Sequence, residues 1–111
     1  ISLNYSFSID ETHHVHKKDS PSGTAILLEK TISEFCSKKT PIQSHRTGEV
    51  IGDHKIFIRS KDEELCLSHH AKSRQIFSYG ALKCAAQIAK KRAEQSLKQK
   101  ILTMDDLFED L

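Results

Sequence analysis

Three histidines, two lysines and two acids stand within nine residues, Glu11 to Asp19, in the run ETHHVHKKD, and Ser20-Pro21-Ser22-Gly23-Thr24-Ala25 follow at once. Imidazoles titrate near neutral pH and ammonium groups carry a full positive charge, so this run can deliver a proton and hold an anion. The Pro-Ser-Gly turn leads into a helical pattern. Ser22 or Thr24 suits the N-cap, and Gly23 lets a ligand come close to the backbone. The free N–H groups of a first helical turn, at the positive end of the helix dipole, favour a carboxylate or phosphate. Together these features describe a pocket for a small anion with proton donors beside it.

The elements that would position this run read as follows. Residues 1–10 alternate, with Ile1, Leu3, Tyr5, Phe7 and Ile9 against polar partners, which predicts a half-buried strand. The same parity places Glu11 and His13 on the buried face. Residues 24–38 read as a helix with Ala25, Leu28, Ile32, Phe35 and Cys36 inward, and Pro41 lies just beyond its end. The stretch from Ile42 to His54 is polar, with Gly48 and Gly52 marking turns or bulges. Strands are expected over Lys55–Ser60 and Glu64–Ala71, joined by a short turn at Lys61-Asp62-Glu63. In a regular strand His69 and His70 point to opposite faces. A long helix is expected from Phe77 to about Gln99, with Phe77, Ala81, Ala85, Ile88 and Ala89 as its apolar stripe. Its basic second half reads as a solvated face, since stacking aromatics are absent there. The acidic end around Leu107 reads as a final helical turn.

Composition narrows the class. With 111 residues, one domain is the natural count, and such a chain buries roughly two thirds of its unfolded surface. A net charge of only +2 argues against a dedicated nucleic-acid binder. No apolar run approaches the ~20 residues of a membrane helix, and no signal peptide is visible. Cys36, Cys66 and Cys84 are widely spaced and odd in number, which fits reduced thiols in the cytoplasm. The chain opens on Ile1 in mid-strand and reads as a piece of a longer protein.

The motif His13-His14-Val15-His16-Lys17, followed by Asp19-Ser20-Pro21-Ser22-Gly23-Thr24-Ala25, resembles the substrate-binding signature of the dihydrodipicolinate reductase family. Later blocks resemble it too: Arg46-x-Gly48-x-x-x-Gly52-x-His54, the strand with His69, Arg74-x-x-Phe77-x-x-Gly80-Ala81, and Met104-Asp105-Asp106-Leu107. The resemblance implies an α+β fold, a mixed open β-sheet with helices packed on one face. It implies that residues 1–111 form a C-terminal substrate-binding and tetramerisation domain, with residues from about 77 to 111 packing back on an N-terminal Rossmann domain. No GxGxxG occurs in this sequence, so the NADH or NADPH of the family would be bound mainly by that other domain. The activity implied is reduction of 4-hydroxy-tetrahydrodipicolinate (dihydrodipicolinate) to tetrahydrodipicolinate in lysine and diaminopimelate biosynthesis, by a cytoplasmic homotetramer.

By motif position, the resemblance makes His13 and Lys17 the acid pair, with Lys17 the proton donor, and assigns His14, Gly23 and Thr24 to a substrate carboxylate. Lys18 replaces the apolar residue associated with its slot. His16 reads as a structural hydrogen-bonder, and Asp19 as a loop stabiliser bonding local N–H groups. Arg46, His54 and Arg74 belong either to the pocket's outer shell or to subunit contacts. Two other readings stand beside this one. HHxH with His69 or His70 could ligate zinc in a hydrolase, although the spacing is weak and Lys17 would repel a cation. Alternatively the domain is a non-catalytic oligomerisation module, with strand edges from residues 1–10 and 55–71 as its material.

Overall fold

A computed structural model describes residues 4–94 and 101–108. Its elements run β1 (Ser6–His13), α1 (Gly23–Phe35), β2 (Ile42–Arg46), β3 (Asp53–Arg59), β4 (Glu64–His70), α2 (Gln75–Glu94) and α3 (Met104–Leu107). They fall into two compact units, Ile1–Lys72 and Ser73–Leu111.

The first unit is a four-stranded sheet in the order β2-β1-β3-β4. β1 pairs parallel with β2 and antiparallel with β3, and β3 pairs antiparallel with β4, so the sheet is mixed. Two adjacent parallel strands need a crossover between them, and α1 supplies it. β1 obeys its alternation: Ile9 and Glu11 are buried on one face, and Ser8, Asp10 and Thr12 alternate to the other. The expected positions 1–3 lie outside the described residues; Asn4 and Tyr5 precede the strand, which runs on to His13. Register carries the same face across the sheet, through Ile9↔Ile56 and Ile56↔Leu67, then Glu11↔His54 and His54↔His69.

Several expectations need correction. β2 was not anticipated, because Ile42-Gln43-Ser44-His45-Arg46 holds a single aliphatic residue. Its inward positions Ile42, Ser44 and Arg46 are mostly polar. The strand of residues 1–10 is no edge: β1 lies between β2 and β3, and the edges are β2 and β4. α1 ends at Phe35, earlier than Lys38, with the Cys36 amide bonded to the Ile32 carbonyl. Ala25 is its buried residue, while Phe35, expected inward, is 88% exposed. The expected turn at Lys61–Glu63 forms, and the Ser60 hydroxyl accepts from the amides of Asp62 and Glu63.

In the second unit α3 lies along α2, with the Cys84 thiol 3.7 Å from the Met104 sulfur. The half-buried positions Cys84, Gln87, Ile88 and Lys91 follow helical spacing. Of the expected stripe Ile88 is among them, while Phe77, at 54% exposed, Ala81, Ala85 and Ala89 are exposed. A capping box at Thr103 and Asp106 starts α3, the expected final turn. The expected helical positions 95–99 lie outside the described residues.

Candidate functional site

The site is built where β1 ends, β2 ends and α1 begins. Glu11 and His13 are two apart on one strand and share its inward face, and the parallel register sets Arg46 opposite His13. Arg46 therefore reaches Glu11 diagonally across the two strands. Its Nη1 donates to Glu11 Oε2 at 2.9 Å and its Nη2 to Oε1 at 3.1 Å. His13 Nδ1 lies 2.5 Å from Oε2, and the Ser22 amide donates to Oε1 at 2.9 Å. A single carboxylate thus ties a strand-end imidazole to the turn that opens the helix.

Glu11 has no exposed surface. Burial pushes its carboxyl pKa up, and hydrogen bonds from Arg46, His13, the Ser22 amide and Ser44 together outweigh that, holding it down at about 2 against an ordinary 4.5. The group is a permanent anion at neutral pH. Arg46 also donates to the Asp19 carbonyl at 2.6 Å and to the His45 carbonyl at 2.9 Å, which fastens the signature loop to β2. Further backbone bonds zip the two loops together, from the Thr47 amide to the His13 carbonyl at 2.9 Å and from the Val15 amide to the Gly48 carbonyl at 3.1 Å.

The choice of N-cap falls on Ser22, whose hydroxyl accepts from the Ala25 amide at 3.2 Å and pairs with His54 Nε2 at 3.0 Å. Burial, then the neighbouring His13, lower the His54 pKa, so this ring is neutral at physiological pH. The rings of His13 and His54 meet edge to face with centroids 5.1 Å apart. The first-turn amides of α1 are divided by these contacts. Ser22 N–H goes to Glu11, Ala25 N–H to the Ser22 hydroxyl, and Ile26 N–H to the Ser22 carbonyl. Gly23 and Thr24, both on exposed residues, have N–H groups that no carbonyl of their own helix can reach. A Cβ built on Gly23 meets nothing within 4 Å, so the backbone there faces open space.

Lys17 turns back through the bond from its amide to the His14 carbonyl, and its ammonium pairs with Asp19 at 2.9 Å. Asp19 is thereby a partner for the ammonium through its side chain and for Arg46 through its carbonyl. Its carboxylate also accepts from its own backbone N–H, the local role expected of it, so the Lys17 pair is an addition to that role. Lys17 lowers the Asp19 pKa. The His14 ring packs 5.9 Å from that of His16, and its buried Nδ1 has no partner among the described residues. His16 is exposed and pairs with Glu49 at 3.2 Å.

Sequence reasoning left Arg46 and His54 undecided, and both are inner members of the cluster. The strand parity puts Glu11 on the buried face without pointing to its role. The signal that could have found Arg46 is the strand–helix–strand order, which calls for a parallel partner beside β1 after Pro41. His69 lies on the face of His54, and His70 on the opposite face bonded to Asp53. Arg74 belongs to the second unit. Among the described residues no group of three or more His, Cys, Asp or Glu is placed to hold a metal ion. None of the described helices is long and apolar enough to cross a membrane.

Comparison with known proteins follows the same line. Residues 1–108 match the family model described as "Dihydrodipicolinate reductase, C-terminus". The 4-hydroxy-tetrahydrodipicolinate reductase of Bdellovibrio bacteriovorus is 40% identical over 89 residues, covering 79% of this chain and 39% of the relative. That of Christiangramia forsetii is 37% identical over 119 residues, covering 96% of this chain and 47% of the relative. Among solved structures, the dipicolinate-bound dihydrodipicolinate reductase from Paenisporosarcina sp. TG-14 superposes with a TM-score of 0.65 at 25% identity, over 77% of this chain and 40% of that one. The chain spans less than half the length of these relatives. Its open mixed sheet with three helices is the α+β arrangement of that structural neighbour, and the chain belongs to the dihydrodipicolinate reductase family, of which it matches the C-terminal part.

Proposed function

We propose that this chain is the substrate-binding and oligomerisation domain of a reductase that converts 4-hydroxy-tetrahydrodipicolinate to tetrahydrodipicolinate with NADH or NADPH, in the lysine and diaminopimelate pathway of the cytoplasm. The observation that carries the reading is the division of the first-turn amides, which leaves Gly23 and Thr24 N–H for an anion at the end of the loop that carries Lys17 and the histidines. The dipicolinate in the Paenisporosarcina enzyme is a dicarboxylate of the kind such a cradle suits. Arg46 takes no part in anion binding, because Glu11 consumes its charge.

The nicotinamide supplies hydride when bound. This sequence offers no GxGxxG fingerprint to hold its pyrophosphate, so we assign the nucleotide to an N-terminal Rossmann domain. The residues of this chain do the rest. Gly23 and Thr24 amides, the Thr24 hydroxyl and the His14 ring hold one substrate carboxylate. The 4-hydroxyl leaves as water to give the conjugated cyclic imine; hydride addition to that imine leaves an electron pair on the ring, and Lys17, paired with His13 in this role, gives the proton that neutralises it. Assembly into a homotetramer falls to the sheet face away from α1 and the edges β2 and β4.

The test is made in the full-length protein. Lys17→Met should lower kcat by about 100-fold or more, as loss of a general acid does, while dipicolinate binding by calorimetry persists. Thr24→Val should act chiefly on KM. Turnover of Lys17→Met at the parent rate would discard the proton-donor role.

A further inference from the structure

Glu11 is the most deeply buried charged group of the first unit, and the proton transfer assigned to Lys17 and His13 does not use it. Its bonding pattern points at a specific task. Oε2 receives Arg46 Nη1 and His13 Nδ1, while Oε1 receives Arg46 Nη2 and the Ser22 amide. A carboxylate held ionised by a bidentate guanidinium only accepts, so the imidazole nitrogen facing it must carry a hydrogen. The other nitrogen, Nε2, lies on the Gly52 side. A Cβ built on Gly52 would sit 3.3 Å from it, so a side chain larger than hydrogen at that position would crowd this nitrogen.

We propose that Glu11 is a positioning residue: it fixes the His13 ring with Nδ1–H turned inward, so that Nε2 is the nitrogen presented to the substrate. This rests on the functional reading above. Arg46 serves the same end by holding the carboxylate on both oxygens, which leaves Glu11 one orientation. The carboxylate cannot swing toward the ammonium of Lys17, whose partner is Asp19 instead. The inner imidazole and the outer ammonium therefore have separate carboxylate partners, Glu11 and Asp19. Because Oε1 also receives the Ser22 amide, the imidazole and the helix opening share one reference point.

Glu11→Gln in the full-length protein is the decisive variant. The amide oxygen can still accept from Ser22 and Arg46 Nη2, while the amide nitrogen now donates toward His13 Nδ1 and reverses the tautomer. We expect kcat to fall about 10–100-fold, with KM for the dicarboxylate substrate within about twofold. Nitrogen-15 spectra of labelled histidine, taken where the ring is neutral, should show Nδ1–H at His13 in the parent protein and Nε2–H in the variant. A parent ring protonated on Nε2 alone, or a variant with unchanged kcat, overturns the proposal. The parent spectrum needs no variant to fold and no turnover. A protein without reductase activity would therefore sink the functional reading alone, and the spectrum would still decide the role of Glu11.

Discussion

Arg46 grips Glu11 with both terminal nitrogens across two adjacent parallel strands, at 2.9 and 3.1 Å, and Glu11 has no exposed surface. Neither charge is offered to a ligand. Removing one partner would strand the other in a place where water cannot solvate it. Arg46→Met should destabilise the sheet unit by about 3–5 kcal/mol, read from urea unfolding. Combining it with Glu11→Gln should cost less than the two changes summed, because the second removes the stranded charge. A loss below about 1 kcal/mol for Arg46→Met would mean the pair is solvated like a surface bridge.

Acid should undo the unit in two steps of the same sign. The His54 pKa is lowered in the folded protein, so between its ordinary 6.5 and the folded value the unfolded chain binds more protons. That contribution is complete above 6.5 and fades as pH falls below it. Glu11 adds a second contribution, complete above its ordinary 4.5 and lost as pH falls toward its folded value of about 2. Urea midpoints measured from pH 7 to pH 2 should therefore decline in both windows. His54→Gln should flatten the upper decline, and Glu11→Gln the lower one. A midpoint independent of pH below 4.5 would contradict the buried ion pair.

Much of this arrangement was legible in the sequence, and the exceptions have a physical cause. Strict alternation through Ile9 fixed the parity that put Glu11 and His13 on the buried face, since side-chain direction in a strand has period two. The sequence offers Ser22 or Thr24 as the cap, and the structure places it on Ser22. β2 stayed hidden because its inward residues Ser44 and Arg46 serve the buried carboxylate, so a strand that is half inside reads as a polar loop. Local pattern carries no register: only the pairing of His13 with Arg46 shows which cation meets Glu11. Phe35 failed for a different reason, because helical spacing ranks the faces of α1 without saying how far the sheet extends beneath its last turn.

Gly23 separates folding from binding. It is the first residue of α1, and a Cβ there meets nothing within 4 Å. Alanine is the better helix former, so Gly23→Ala should leave stability unchanged or raise it by up to about 1 kcal/mol. The added methyl would stand in the open space beside the Gly23 backbone, in the way of the anion proposed to bind the Gly23 and Thr24 amides. KM for the dicarboxylate substrate should therefore rise about tenfold, the equivalent of one weakened charge-assisted hydrogen bond. Thermal melting and steady-state kinetics on the same preparation check both halves. A variant with raised stability and the parent KM would place the anion elsewhere.

Gly52 tests the other wall of the site. Its Cβ would lie 3.3 Å from His13 Nε2 and 3.5 Å from Cδ2. The first distance is tighter than an ordinary contact, so the ring must yield by a few tenths of an ångström. It has little room to do so, because Nδ1 is held by Glu11 and the opposite edge meets His54. Gly52→Ala should therefore disturb the imidazole rather than the sheet, whose bond from the Ala71 amide to the Gly52 carbonyl is unaffected by a side chain. We expect kcat to fall about tenfold, the scale of a slightly misplaced catalytic group, with the unfolding midpoint changed by less than the Arg46→Met variant changes it. Full turnover in Gly52→Ala would show that the His13 ring tolerates displacement and that its placement does not limit the reaction.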